Sequence, residues 1–184
     1  MSQYRKLRIE EMGRMSPEAF EVAYKIPVRV ILDDIRSMHN VGALFRTSDA
    51  FRIEKIHLCG ITPRPPHREI HKTAIGAEKS VSWEYHEHIL PLIQQLTSEG
   101  YQLIGVEQTE DSTPLQEFEV NPNHKYALIL GHEIQGVKQV VLDLCHAVVE
   151  IPQHGTKHSL NISVSAGISL FHFSHPFFGG INEF

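Results

Sequence analysis

KYALILGHEIQGV, residues 125–137, is the stretch whose reading decides the fold. Tyr126 to Leu130 are apolar without interruption, and a strand that is apolar on both of its alternating faces is buried on both sides, as in a parallel sheet. Working outward, VRVILDD (28–34), EKIHLCG (54–60), YQLIGVEQ (101–108) and HAVVEIP (146–152) read as four more strands. Helical patterns fall between them: about 40–51, a short one ending near Gly76, HILPLIQQLTSEG (88–100), VKQVVLDLC (137–145) and SLNISVSAGISLFHF (159–173). This alternation predicts an α/β fold with a parallel sheet. ITPRPP (61–66) is a loop, because its prolines continue neither a helix nor a central strand. Residues 1–26 read as a short N-terminal helical extension, with Ser16 as N-cap and Pro17 at the first helical position. Residues 27–184 read as one domain.

Composition narrows the class. The chain has 184 residues, 41% hydrophobic and 21% charged, which is ordinary for a soluble globular domain. No apolar run approaches the roughly 20 residues that cross a bilayer. MSQYRKLRIEEMGRM mixes charges and has no apolar signal core, so the expected compartment is cytoplasmic. Cys59 and Cys145 adjoin apolar runs and read as free thiols. The formal net charge of −5 argues against nucleic-acid binding over the whole surface, while leaving room for local basic patches. Two are present: Arg5, Lys6, Arg8 and Arg14, and then Arg64, His67, Arg68, His71 and Lys72. His67 and His71 share a spacing that two metal ligands on a helix also use. HREIH, however, lacks the His-Glu-x-x-His order of a metal hydrolase.

Ligands of open α/β sheets bind beyond the carboxyl ends of the strands, and three such edges carry unusual residues. At the first, Asn40 and Gly42 stand where a helix begins, with Arg46 about a turn and a half further on. A helix N-terminus favours anions, and an arginine fork suits phosphate oxygens. At the second, Gly131 follows the buried strand and leaves room for a ligand at the backbone, Glu133 has no evident partner, and Gly136 closes the turn. At the third, Ile151 and Leu160 flank a polar loop as walls for a flat ring, and Ser159 and Asn161 are good capping residues. Each pattern alone is also what ordinary caps and turns look like.

Taken together, NVGALFR from Asn40, LGHEIQGV from Leu130 and IPQHGTKHSLNIS from Ile151 resemble the three motifs of the SpoU (TrmH-like) branch of the SPOUT RNA methyltransferases. The resemblance runs from about residue 28 to 173, and the third motif is the most specific. It implies a SPOUT fold with a deep C-terminal trefoil knot. It also implies S-adenosylmethionine as methyl donor, leaving as S-adenosylhomocysteine, and a ribose 2′-hydroxyl of RNA as acceptor. No metal is required for such a displacement. By the same resemblance, Leu130, Gly131, His132, Gly136, Ile151, Gln153, Ser159 and Leu160 hold the cofactor. Arg46, Asn40, Glu133, Ser159 and Asn161 form the catalytic set. His132 departs from the small polar residue or asparagine that many members carry.

An arginine keeps its proton, so a base role suits Arg46 poorly. Clamping the neighbouring phosphate and stabilising alkoxide charge suits it better, with Asn40, Glu133, Ser159 and Asn161 orienting Arg46 and the ribose. The family also implies a homodimer with RNA lying across both subunits. The helix 159–173 and the aromatic tail through Phe178 suit either that interface or the core. Arg64, Arg68 and Lys72, with Arg46, are the expected RNA contacts. Transfer RNA is favoured by analogy with small members. Ribosomal RNA, a base-methylating SPOUT enzyme and a catalytically silent RNA-binding SPOUT protein are the alternatives.

Overall fold

The computed structural model describes residues 4–178. A 3-10 turn at Ile9–Met12 and helix α1 (Pro17–Val22) precede strand β1 (Ile26–Asp33). Then follow α2 (Met38–Ala50), β2 (Ile53–Cys59), α3 (Arg68–Ala74), α4 (Ala77–Ser80), β3 (Trp83–His86), α5 (Ile89–Ser98) and β4 (Tyr101–Val106). The last part runs β5 (Thr113–Pro114), β6 (Lys125–Leu130), α6 (Gln139–Leu142), β7 (Ala147–Glu150) and α7 (Ile162–Phe178). The strands form one seven-stranded sheet in the order β3-β2-β1-β6-β4-β7-β5, and every strand pair is parallel.

The apolar reading of β6 holds: Tyr126 to Leu130 are all buried. The sheet separates two cores. Val30, Leu32, Leu128 and Leu130 pack with Leu44, Phe45, Leu170 and Phe173 on the face covered by α2 and α7. Ile31, Ala127 and Ile129 pack with Leu92, Ile93, Leu96 and Val141 beneath α5 and α6. Alternate residues of each central strand therefore stabilise opposite layers, which is why these strands show no polar face.

Several boundaries differ from the sequence reading. β3, β5 and α4 were not expected; they are two to four residues long, too short to show a period. α6 covers only Gln139–Leu142 of the expected 137–145. α7 begins at Ile162 and not at Ser159, and it runs past Phe173 to Phe178, with Pro176 inside it. Pro27 lies within β1, where the register with β2 is irregular between Ile26 and Arg29. The cap of α2 is Ser37, whose Oγ accepts the Asn40 N–H at 3.3 Å, so Asn40 is inside the first turn. Cys59 is buried and Cys145 half-buried, both as free thiols; burial pushes them up to about 12 and about 11. Among the described residues no helix is long and apolar enough to cross a membrane.

Candidate active site

A cleft of about 1390 Å³ opens at the carboxyl ends of β4, β6 and β7. The turn after β6 forms its floor. His132 and Gly136 bridge each other through N–H···O=C bonds of 3.1 and 2.8 Å, and Gly136 takes φ +67°, a region that favours glycine. A Cβ on Gly131 would stand 2.2 Å from the Gly136 carbonyl carbon. Gly131 is thus needed for the turn to close on itself; the space it leaves is taken by its own turn and not by a ligand. Glu107, just past β4, accepts the Val137 N–H at 2.9 Å from below. The His132 Nδ1 accepts the N–H groups of Ile134 (3.0 Å) and Gln135 (3.3 Å), which leaves Nε2 as the protonated nitrogen of a neutral ring.

Glu133 finds the partners that its local sequence does not display. Its carboxylate accepts the backbone N–H groups of Arg36 (3.0 Å) and Ser37 (3.0 Å) and the Asn40 side-chain amide (3.3 Å). The anion at the start of α2 is therefore the protein's own carboxylate, where sequence reasoning expected a phosphate. Burial works against the charge of Glu133, but the hydrogen bonds from Arg36, Ser37 and Asn40 outweigh it and lower its pKa. Asn161 Nδ2 in turn donates to Asn40 Oδ1 at 3.2 Å. Asn161 Oδ1 accepts the Ser163 N–H at 2.9 Å and the Ser163 hydroxyl at 2.6 Å, capping α7. One hydrogen-bonded path, Glu133–Asn40–Asn161, thus joins all three motifs.

Below this path Lys138 pairs with Asp33 (3.0 Å) and Asp34 (2.6 Å). Burial raises the pKa of Asp33 in spite of Lys138. At Asp34 burial is outweighed by Lys138 and the Ile61 N–H, and the pKa falls. Glu107 and Lys138 escaped sequence reasoning. The β4 edge has no glycine turn to mark it, although an acid directly after a parallel strand was itself a usable signal.

All eight residues expected to hold a cofactor line this cleft: Leu130, Gly131, His132, Gly136, Ile151, Gln153, Ser159 and Leu160. Glu133 and Asn161 line it too. Ile151 is half-buried and Leu160 is 37% exposed, so both offer apolar surface. Gln108 Nε2 donates to the His158 carbonyl at 3.0 Å and ties the loop before α7 to the β4 edge.

Arg46 is not brought to this cleft. It is exposed on α2 and lines a second cleft of about 1840 Å³, together with Phe171 and Phe178 of α7 and the N-terminal segment. Arg64 lies over the Tyr85 ring, 4.1 Å from its centroid. Lys72 is paired with Glu69 at 2.7 Å, and Arg68 is exposed at the start of α3. His67 and His71 do not form a pair: His67 Nδ1 accepts the Glu69 N–H as a helix cap, and His71 Nδ1 meets Glu78 at 2.6 Å.

The sequence and the fold have known counterparts. Residues 27–171 match the model of the SpoU rRNA Methylase family. The 23S rRNA (guanosine-2'-O-)-methyltransferase RlmB of Neisseria meningitidis is 30% identical over 148 residues, which is 78% of this chain and 56% of that protein. The chain therefore spans little more than half the length of that relative. An AdoMet-bound rRNA methyltransferase from Sinorhizobium meliloti superposes with a TM-score of 0.74 at 25% identity, covering 79% of this chain and 55% of the other. The A. aeolicus TrmH/SpoU tRNA modifying enzyme shares the fold with a TM-score of 0.76 at 23% identity, covering 89% and 80%. With its three motifs joined at one sheet edge and most of its length matched by the family model, this chain belongs to the SpoU rRNA methylase family.

Proposed function

We propose that the protein transfers a methyl group from S-adenosylmethionine to a ribose 2′-hydroxyl of RNA. The observation that carries this reading is the Glu133–Asn40–Asn161 path at the rim of a cleft lined by every expected cofactor residue. The cleft suits the donor: Leu130, Ile151 and Leu160 offer apolar walls for an adenine, and the 131–136 turn offers backbone groups at its edge. The bound donor supplies an electrophilic sulfonium methyl. The chain's own residues orient the acceptor and hold the turn rigid around the donor. The intact path argues against a silent RNA-binding protein, since loss of catalysis would remove the need for it.

Arg46 is assigned to the acceptor side, as a clamp on the phosphate next to the reacting ribose and a stabiliser of developing negative charge. Because it lines the second cleft and not the cofactor cleft of its own chain, we assign it to the cofactor cleft of a second copy in a homodimer. Support for the dimer comes from the outer side of α7 and the loop before it, where Leu160, Val164, Ile168 and Phe171 are exposed at near-helical spacing. The knot belongs to the same reading. β7 lies beyond β4, yet α7 packs back against α2 and β1, so residues 151–161 must cross the carboxyl edge of the sheet.

Ribosomal RNA is the substrate class we place first, because RlmB relatives are named for 23S rRNA. Transfer RNA, the preference from sequence, stands second on the tRNA modifying enzyme that shares the fold. Nucleoside mass spectrometry of both RNA pools, from cells with and without the gene, tests the reading. A 2′-O-methyl nucleoside that disappears from ribosomal RNA supports it. An unchanged ribose pattern in both pools, or a lost base methylation, overturns it.

A further inference from the structure

We propose that His57, Glu84 and His86 form a binding site for a divalent transition-metal ion of the zinc type, at the β2–β3 edge of the sheet. The parallel register sets His57 opposite Glu84 and Cys59 opposite His86. Residues two apart on a strand share a face, and so do aligned neighbours. The fold therefore delivers two imidazoles and a carboxylate to one spot from positions about thirty residues apart.

The distances fit. His57 Nδ1 and His86 Nε2 are 3.0 Å apart, and Glu84 Oε2 lies 3.9 and 3.8 Å from them. Ligand atoms about 2.0–2.1 Å from a tetrahedral ion are separated by about 3.3 Å. The two nitrogens need to part by a few tenths of an ångström, and the half-exposed Glu84 side chain needs to swing in by about half an ångström to satisfy the same geometry. Two nitrogens and one carboxylate oxygen, with a fourth position open to solvent past the partly exposed His86, are a donor set that zinc accepts.

A hydrogen bond between the two histidines accounts for only two of the three groups gathered here, since Glu84 Oε2 also faces both nitrogens. His57 is 1% exposed, and its Nε2 has no hydrogen-bond partner, whereas buried imidazole nitrogens are normally both satisfied. The proton of the neutral ring is favoured on Nδ1, where His86 and Glu84 lie as acceptors, and a bound ion at Nδ1 would shift it to Nε2. The Glu84 carboxylate is already divided: Lys55 holds Oε1 at 2.5 Å, while Oε2 is turned toward the imidazoles. An outer partner of this kind orients a ligating carboxylate. It also offsets part of the carboxylate's negative charge, which weakens its pull on a cation.

The cluster lies two strands from β6 and on the face that Ile31 and Cys59 share with α5. It is separate from the cofactor cleft, and its effect would be to pin the four-residue edge strand β3 to β2.

The test is calorimetric titration of the untagged, chelator-treated protein with Zn²⁺ alone, repeated with Co²⁺ followed by visible absorption. The expected result is a single saturable equivalent, tetrahedral cobalt bands, and a higher thermal midpoint with zinc. His86→Ala and Glu84→Gln, both on the open side of the cluster, should each weaken binding at least about tenfold while leaving S-adenosylmethionine binding unchanged. The absence of saturable uptake, or uptake equal in wild type and both variants, overturns the proposal.

Discussion

The Glu133 carboxylate and the Asn40 side-chain amide meet at 3.3 Å across a separation of 93 residues. Asn161, 121 residues from Asn40, closes on the same side chain. Asn40 therefore divides its two polar atoms between the second and third motifs. Its place within the first turn of α2 is what lets it do so.

Replacing Glu133 by Gln keeps the shape and removes the charge. The amide then presents an NH2 group to backbone donors, and the expected cost is about 1–3 kcal/mol in urea denaturation at pH 7. The sign of the pH dependence follows from the lowered pKa. The stabilisation is complete above the unfolded carboxylate value and is lost as pH falls through the lower folded value. The wild-type acid limb should therefore be steeper than that of Glu133→Gln, and parallel limbs would contradict the assignment.

Gly131→Ala places a methyl group 2.2 Å from the Gly136 backbone, which no rotamer change relieves. The turn must open, and we expect a loss of about 1–3 kcal/mol together with loss of S-adenosylmethionine binding by calorimetry. Wild-type affinity in this variant would show that the turn does not shape the cofactor cleft.

Arg46→Ala should bind S-adenosylmethionine normally and lose methyl transfer by about a hundredfold or more. Mixing it with Asn161→Ala after subunit exchange tests the assignment to a partner's cleft. Random exchange makes half the dimers mixed, each with one intact site, so activity should recover to about a quarter of wild type. Recovery of none would place Arg46 with its own chain's cleft.

Lys138→Ala leaves Asp33 buried beside Asp34 without its cation. Because burial already raises the Asp33 pKa, the ionised form costs stability in the folded state. The destabilisation should be largest at neutral pH and shrink as pH falls through the carboxylate range, where Asp33 takes a proton. Paired denaturation curves at pH 7 and pH 4 check this. A loss that stays constant or grows on acidification would show that it does not come from the pairing of Lys138 with ionised Asp33 and Asp34.

Much of the architecture was legible locally. The apolar run of β6, the Ser16–Pro17 start of α1 and the amphipathic pattern of α5 each depend on neighbours within a few residues, and periodicity reports such burial directly. The short strands β3 and β5 carry no period to read. Ser159 and Asn161 looked equivalent as caps, and only the tertiary structure shows that Asn161 caps α7 while Ser159 stays in the loop.

The amino-acid order by itself determined the parallel α/β class and the three sheet edges where ligand chemistry gathers, because hydrophobic alternation and turn residues act over short spans. Tertiary structure alone decided who answers whom. The partner of Glu133 is the start of α2, Gly131 makes room for Gly136, Arg46 faces the second cleft, and His57 meets His86. Such contacts depend on which strands become neighbours in the order β3-β2-β1-β6-β4-β7-β5. Strand order is set by the burial of the whole sheet, and no local spacing encodes it.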